Sequence, residues 1–120
     1  RWICDDAVKF LRREVRRGNR YDGILVDPPK YGRGAKGEVW QLFENLPELL
    51  HLCRAVLSDS PLFVVATLYA IRLSSLSLHN GLGEALAGLG GNLESGEMGV
   101  TDGGGRVLAS AAFSRWCARR

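Results

Sequence analysis

Residues 24–31 read Ile-Leu-Val-Asp-Pro-Pro-Lys-Tyr, and no other stretch of the 120-residue chain restricts its fold so tightly. Ile24, Leu25 and Val26 form an unbroken apolar run, the pattern of a strand covered on both faces of a parallel sheet, and Tyr21-Asp22-Gly23 before them is turn-like. A central strand over residues 23–27 is expected. Pro28 and Pro29 have no N–H to donate and hold φ near about −65°, so the strand must stop at Asp27. The chain then leaves through a stiff corner whose carbonyls are free. In an open α/β sheet, ligands sit in the crevice beyond the carboxyl ends of the strands. At that corner Asp27 supplies a carboxylate, the Pro28 carbonyl a neutral acceptor and Tyr31 a flat ring. Such a set suits an exocyclic amine held against a π-face.

On either side of the corner the pattern alternates strand and helix. Trp2-Ile3-Cys4 reads as the end of a strand. Asp5 or Asp6 then caps a helix with Ala7, Phe10, Leu11 and Val15 on one face, closed by Gly18-Asn19. Residues 31–37 hold three glycines among cations and are expected to be a mobile loop over the site. They lack the lysine and hydroxyl spacing of a Walker phosphate loop. From Glu38 to Val56, apolar residues recur at helical spacing, with a break expected at Pro47 into pieces 38–45 and 47–57. Trp40 lies off that stripe and is free either to pack or to face the substrate. Ser58-Asp59-Ser60-Pro61 is a turn, and 62–66 a second central strand. That strand's end, Thr67-Leu68-Tyr69, falls on the ligand edge. A helix marked by Leu82, Leu86 and Leu89 should close at Gly90-Gly91. Residues 93–100 and 106–114 flank Thr101-Asp102-Gly103-Gly104-Gly105 as a hairpin, and 116–120 read as a frayed tail.

Asp27-Pro28-Pro29-Lys30-Tyr31 resembles the fourth motif of class I S-adenosylmethionine-dependent methyltransferases, in the form typical of bacterial large-subunit ribosomal RNA methyltransferases. Gly32-Arg33-Gly34 through Gly37-Glu38-Val39-Trp40 is similar to the same group. The resemblance implies an α/β fold: the carboxyl-terminal half of a Rossmann-like methyltransferase sheet, with helices on its faces and a terminal antiparallel hairpin. It implies methyl transfer from S-adenosylmethionine to a base of RNA, with Asp27 and the Pro28 carbonyl orienting the target amine and Tyr31 stacking on the base. Donor binding would fall to Asp6, Ala7 and Asp27, with Asp6 accepting from the adenine amino group. Pro29, Lys30, Arg33 and Tyr69 would meet the substrate, and no metal is needed. RNA cytosine-C5 methyltransferases place a nucleophilic cysteine at the end of the second strand. Thr67-Leu68-Tyr69-Ala70 has none, which counts against covalent catalysis. Two other classes stay open: a DNA amino-methyltransferase and a nucleic-acid-binding module without catalysis.

Composition bounds the rest. With 46% hydrophobic residues the chain suffices for one modest domain. It starts Arg1-Trp2-Ile3-Cys4, without Met and directly in an element, and no glycine-rich strand-to-helix turn precedes residue 27. Residues 1–120 are therefore expected to be a partial methyltransferase domain lacking its amino-terminal, donor-binding half, and inactive alone. No leader or membrane-length apolar run is present, so a cytoplasmic protein is expected. Cys4, Cys53 and Cys117 fit neither a disulfide framework nor a metal site and read as buried reduced thiols. The net charge of +3 alone does not mark a nucleic-acid binder. Arg12, Arg13, Arg16, Arg17 and Arg20 read as a solvated helix end, whereas Lys30, Arg33 and Lys36 flank the site and suit phosphates.

Overall fold

The computed structural model describes residues 2–34 and 37–119. Its elements run α1 (Ala7–Arg17), β1 (Gly23–Val26), β2 (Tyr31–Arg33), β3 (Val39–Gln41), α2 (Leu42–Ala55), β4 (Phe63–Leu68), α3 (Ser75–Ala85), β5 (Asn92–Thr101) and β6 (Val107–Cys117). Four strands form one sheet in the order β1-β4-β6-β5. β1 and β4 are parallel, and β6 runs antiparallel to both β4 and β5. The fold is α/β with a terminal hairpin, as expected. No helix among the described residues is long and apolar enough to cross a membrane.

One face of this sheet carries the core. Register aligns Ile24 with Val64, Val64 with Trp116 and Trp116 with Leu93, then Val26 with Ala66 and Ala66 with Ser114. Against that row pack Leu42 and Leu50 of α2, and Leu78, Leu82, Ala85 and Leu86 of α3 and its end. Full burial of one such side chain contributes about 1.5–3 kcal/mol. The opposite face, with Leu25, Phe63, Val65 and Phe113, has no helix over it among the described residues, and Leu25 is 71% exposed. The expectation of a strand buried on both faces is corrected here. Among the described residues β1 pairs only with β4, so it is the sheet's edge rather than its centre. For the same want of a partner, residues 2–4 form no strand, and Trp2 and Ile3 are exposed.

Six other expectations change. Within the expected loop over 31–37, residues 31–33 are instead one arm of a ribbon, β2 pairing with β3 through Tyr31–Gln41, Gly32–Trp40 and Arg33–Val39, while residues 35 and 36 lie outside the described residues. Cross-strand hydrogen bonding claims Val39–Gln41 before the helix can, so α2 begins at Leu42, whose N–H donates to the Lys30 carbonyl at 3.0 Å. Pro47 does not break α2. A proline inside a helix costs about 3 kcal/mol, but buried Leu42, Leu49, Leu50 and Cys53 hold both halves on one face. β4 starts later than expected and runs on through Thr67 and Leu68 because β6 pairs with it as far as Ala112. α3 stops at Ala85, since Gly88 takes a left-handed φ of 82° and turns the chain away; Gly91 instead lies where a Cβ would come within 2.5 Å of the Trp116 indole nitrogen. Finally, Trp116 and Cys117 are no tail: they close β6, with Trp116 only 4% exposed. Arg120 lies outside the described residues.

α1 is capped as its sequence dictates, by the Asp6 carboxylate on the Lys9 N–H and by left-handed Gly18. Its inward residue is Glu14, which accepts from the Tyr21 hydroxyl, from Asn19 and from Arg17, whereas Val15 faces out. Those hydrogen bonds, the Tyr21 one foremost, hold the Glu14 carboxyl below its ordinary range and push the Tyr21 phenol up. The arginine cluster is largely spent on ion pairs: Arg12 with Glu48, Arg13 with Asp5, Arg17 with Glu14.

Candidate active site

Val26 lies beside Ala66 in the parallel pair, so the next residue of each strand, Asp27 and Thr67, emerge together at the carboxyl ends. The Thr67 hydroxyl donates to Asp27 Oδ1 at 2.5 Å. No other group among the described residues bonds to that carboxylate, so Oδ2 is without a partner there. Pro28 is buried behind it. Pro29 is tethered as well, because the Trp40 indole N–H donates to its carbonyl at 2.6 Å. Two fixed φ angles, one side-chain hydrogen bond and one backbone tether thus hold the corner without help from a ligand.

The corner forms a wall of a cleft of about 430 Å3. Asp6, Ala7 and Val8 at the start of α1 wall it as well, and Gly32 to Gly34 and Trp40 of the ribbon close its far side. The volume is within the roughly 300–1,000 Å3 of small-molecule sites, and the lining is mainly apolar with a few polar groups. The structure therefore brings Asp6, Ala7, Asp27, Pro28, Pro29 and Arg33 together around one space. Ala7 and Asp27, about 20 residues apart in sequence, meet there only because the fold brings the start of α1 to the end of β1.

The remaining candidates stand elsewhere. Lys30 lines a second cleft on the other side of the corner. Tyr31, 76% exposed, projects from the ribbon beside a shallow hollow. Tyr69 is exposed just past β4 and lines neither cleft. Lys36 lies outside the described residues. Asp5 and Asp6 also divide their work differently from the simplest expectation: Asp6 itself caps α1 through Oδ1, and Asp5 is held by Arg13, whose hydrogen bond keeps it below the usual carboxylate range. Asp6 Oδ2 has no hydrogen-bond partner among the described residues, and Asp6 lines the first cleft.

The sequence did not mark Thr67 as a partner of Asp27. The signal was present in two apolar runs that each end in a polar residue, but their register is a tertiary fact. The cysteines lie away from the corner. Cys53 is buried, which pushes its thiol up to about 11, while Cys4 is exposed and Cys117 half-buried, so only one of the three is the buried thiol expected.

No protein-family model matches the chain, and no curated protein matches it. Solved structures do. A SAM-dependent methyltransferase from Agrobacterium tumefaciens is 50% identical over 99% of this chain, with a TM-score of 0.95; the chain spans 40% of that protein's length. A SAM-dependent methyltransferase from Streptococcus mutans matches 93% of the chain at 13% identity and a TM-score of 0.64, and 29% of its own length is covered. A further methyltransferase-fold protein, solved with S-adenosylhomocysteine bound, has 18% identity and the same TM-score of 0.64 over 93% of this chain and 30% of its own. The two remoter likenesses show the fold alone. The resemblance to class I methyltransferases first carried by residues 27–31 thus holds for the whole chain at the level of fold, and at high identity for one SAM-dependent enzyme.

Proposed function

We propose that this chain, structurally matched to part of an S-adenosylmethionine-dependent methyltransferase, contributes to methyl transfer onto a base of RNA, most directly a ribosomal RNA. The observation that carries the reaction type is the Asp27–Pro29 corner: a carboxylate anchored through one oxygen by Thr67, beside a donor-sized cleft that Asp6 also enters. An activated sulfonium methyl is what the donor brings, and it requires no metal to leave. The residues that would hold it are Asp6, accepting from an adenine amino group through Oδ2, with Ala7 and Asp27 beside it.

Asp27 Oδ2 and the Pro28 carbonyl accept from the target amine and aim its lone pair. The exposed Tyr31 ring offers the base a stacking surface. Arg33 at the cleft and Lys30 beyond it meet phosphates, Pro29 borders the substrate there, and exposed Tyr69, outside both clefts, meets it further out. Catalysis in this scheme is positioning, which supplies as much as about 7–11 kcal/mol in well-oriented reactions. The chain supplies part of a longer domain whose remaining strands cradle the methionine end of the donor, and the enzyme works in the cytoplasm. The form of the motif, with lysine after the two prolines, favours RNA over DNA.

Mass spectrometry of nucleosides from RNA and from DNA, each incubated with the full-length protein and isotopically labelled S-adenosylmethionine, tests this. A labelled methyl group on an RNA base is the expected result. Label only in DNA moves the substrate assignment to the other nucleic acid, and label in neither removes the reaction.

A further inference from the structure

Transfer of a methyl group proceeds by backside attack, so donor and acceptor must approach it from opposite sides. The first cleft, with Asp6 and Ala7, lies toward α1 and the ribbon. On the other side of the corner is a second cleft, of about 330 Å3, which none of the roles above uses except through Lys30. Its position follows from the hairpin. β6 pairs with β4 only through residues 112–117, while residues 107–109 and 111 pair with β5 alone. The hairpin therefore overhangs the carboxyl end of β4 and forms a wall above it. Four small residues in succession, Ala109 to Ala112, line the space and leave it open. The opposite wall is the segment leaving β4, where Ala70 adopts a left-handed φ of 53°. A non-glycine residue there costs roughly 1–2 kcal/mol, a kind of strain concentrated at ligand sites.

Three charged groups enter this cleft, each from a different element: Lys30 from the corner, Arg72 from the segment after β4 and Glu97 from β5. None of the ion pairs among the described residues involves them. Two cations and one carboxylate are the groups needed for a ribose-phosphate: Lys and Arg take phosphate oxygens, and a carboxylate accepts from a ribose hydroxyl. The 2′-hydroxyl is the group by which a protein distinguishes RNA from DNA.

We infer that the cleft between Lys30, Arg72 and the β5–β6 overhang seats the ribose-phosphate of an RNA nucleotide next to the target, with Arg72 and Lys30 on phosphate and Glu97 on the 2′-hydroxyl. The inference rests on the proposed RNA substrate and adds Arg72 and Glu97 to it.

Fluorescence anisotropy of the full-length protein with a labelled single-stranded RNA and with the same sequence as DNA, over a range of salt, tests both halves. Single strands lose affinity with a slope of log K on log salt of about −0.7 per phosphate neutralised. Arg72→Ala should make the RNA slope shallower by about 0.7, and Arg72→Lys should restore it. Glu97→Ala should tighten DNA binding, by removing repulsion, more than RNA binding, so the RNA-over-DNA preference narrows several-fold. Arg72 and Glu97 are exposed, so both variants are expected to melt as the wild type does. An unchanged slope in Arg72→Ala overturns the site. A changed slope with an unchanged preference in Glu97→Ala keeps the phosphate contact and overturns the ribose assignment. Methyl transfer is measured separately: a protein that shows both binding effects but moves no label keeps this cleft and loses the reaction.

Discussion

The two faces of the sheet have different surroundings. On one, Val64, Ala66, Leu68 and Trp116 lie under α2 and α3 and are nearly inaccessible. On the other, Leu25 and Phe63 are exposed, with Val65 and Phe113 half-covered, and no helix lies over them among the described residues. Yet the sequences of β1 and β4 are apolar on both faces, so composition alone does not separate them. The covered face holds the strands in register. The strand ends, where Asp27 and Thr67 emerge, take their geometry from that register. Stability and chemistry are thus expected to separate cleanly along the sheet.

The sharpest way to break that division is at the corner. Asp27→Ala should lower turnover of the full-length protein by about 10³-fold, roughly 4 kcal/mol in barrier, while RNA affinity and melting temperature stay near wild type. A variant that melts early but retains the specific activity of its folded fraction would make Asp27 a strand terminator and nothing more. Leu82→Ala, in the helix α3 that packs on the covered face, should do the reverse. Loss of a fully buried leucine costs about 2–5 kcal/mol, read by urea titration, and the folded fraction should keep its rate. If rate and stability fell together, the face and the corner would be one unit rather than two.

Tyr31 gives a finer test. Removing a stacked ring costs roughly 1–3 kcal/mol per base, so Tyr31→Ala should weaken productive RNA binding and Tyr31→Phe should not. Equal behaviour of the two variants would mean that the ring does not stack. The smallest effect is predicted for Leu25→Ser on the bare face. A change at an exposed position usually stays within about 0.5 kcal/mol, and denaturant midpoints of this 120-residue chain and of the full-length protein can be compared directly. A loss above about 2 kcal/mol in the full-length protein alone would show that the bare face is covered there.

Much of this was legible in residue order. Asp6 and Gly18 bound α1 because their caps are local chemistry. Asp102 and the glycines after it turn the hairpin, the Asp102 carboxylate accepting from the Gly104 and Arg106 N–H groups at 2.8 and 2.9 Å. Pro28 and Pro29 end β1 whatever surrounds them. Helical spacing found α2, because a 3.6-residue period survives without knowledge of the partner. It overreached by four residues at the start, from Glu38, where Val39–Gln41 instead form a strand. Periodicity does not record which backbone partner is nearby.

Sequence by itself determined where the chain must turn, where it must stop, and that a carboxylate, two prolines and an aromatic ring stand at one strand's end. Those are consequences of torsion angles, caps and missing N–H groups, all of which act within a few residues. Only the tertiary structure decided that β1 lies at the edge of the described sheet, that Thr67 holds Asp27, that Asp6 shares its cleft, and that the hairpin overhangs a second one carrying Arg72 and Glu97. Each depends on strand register and on which helix packs where, and those are set by burial summed over residues far apart in the chain.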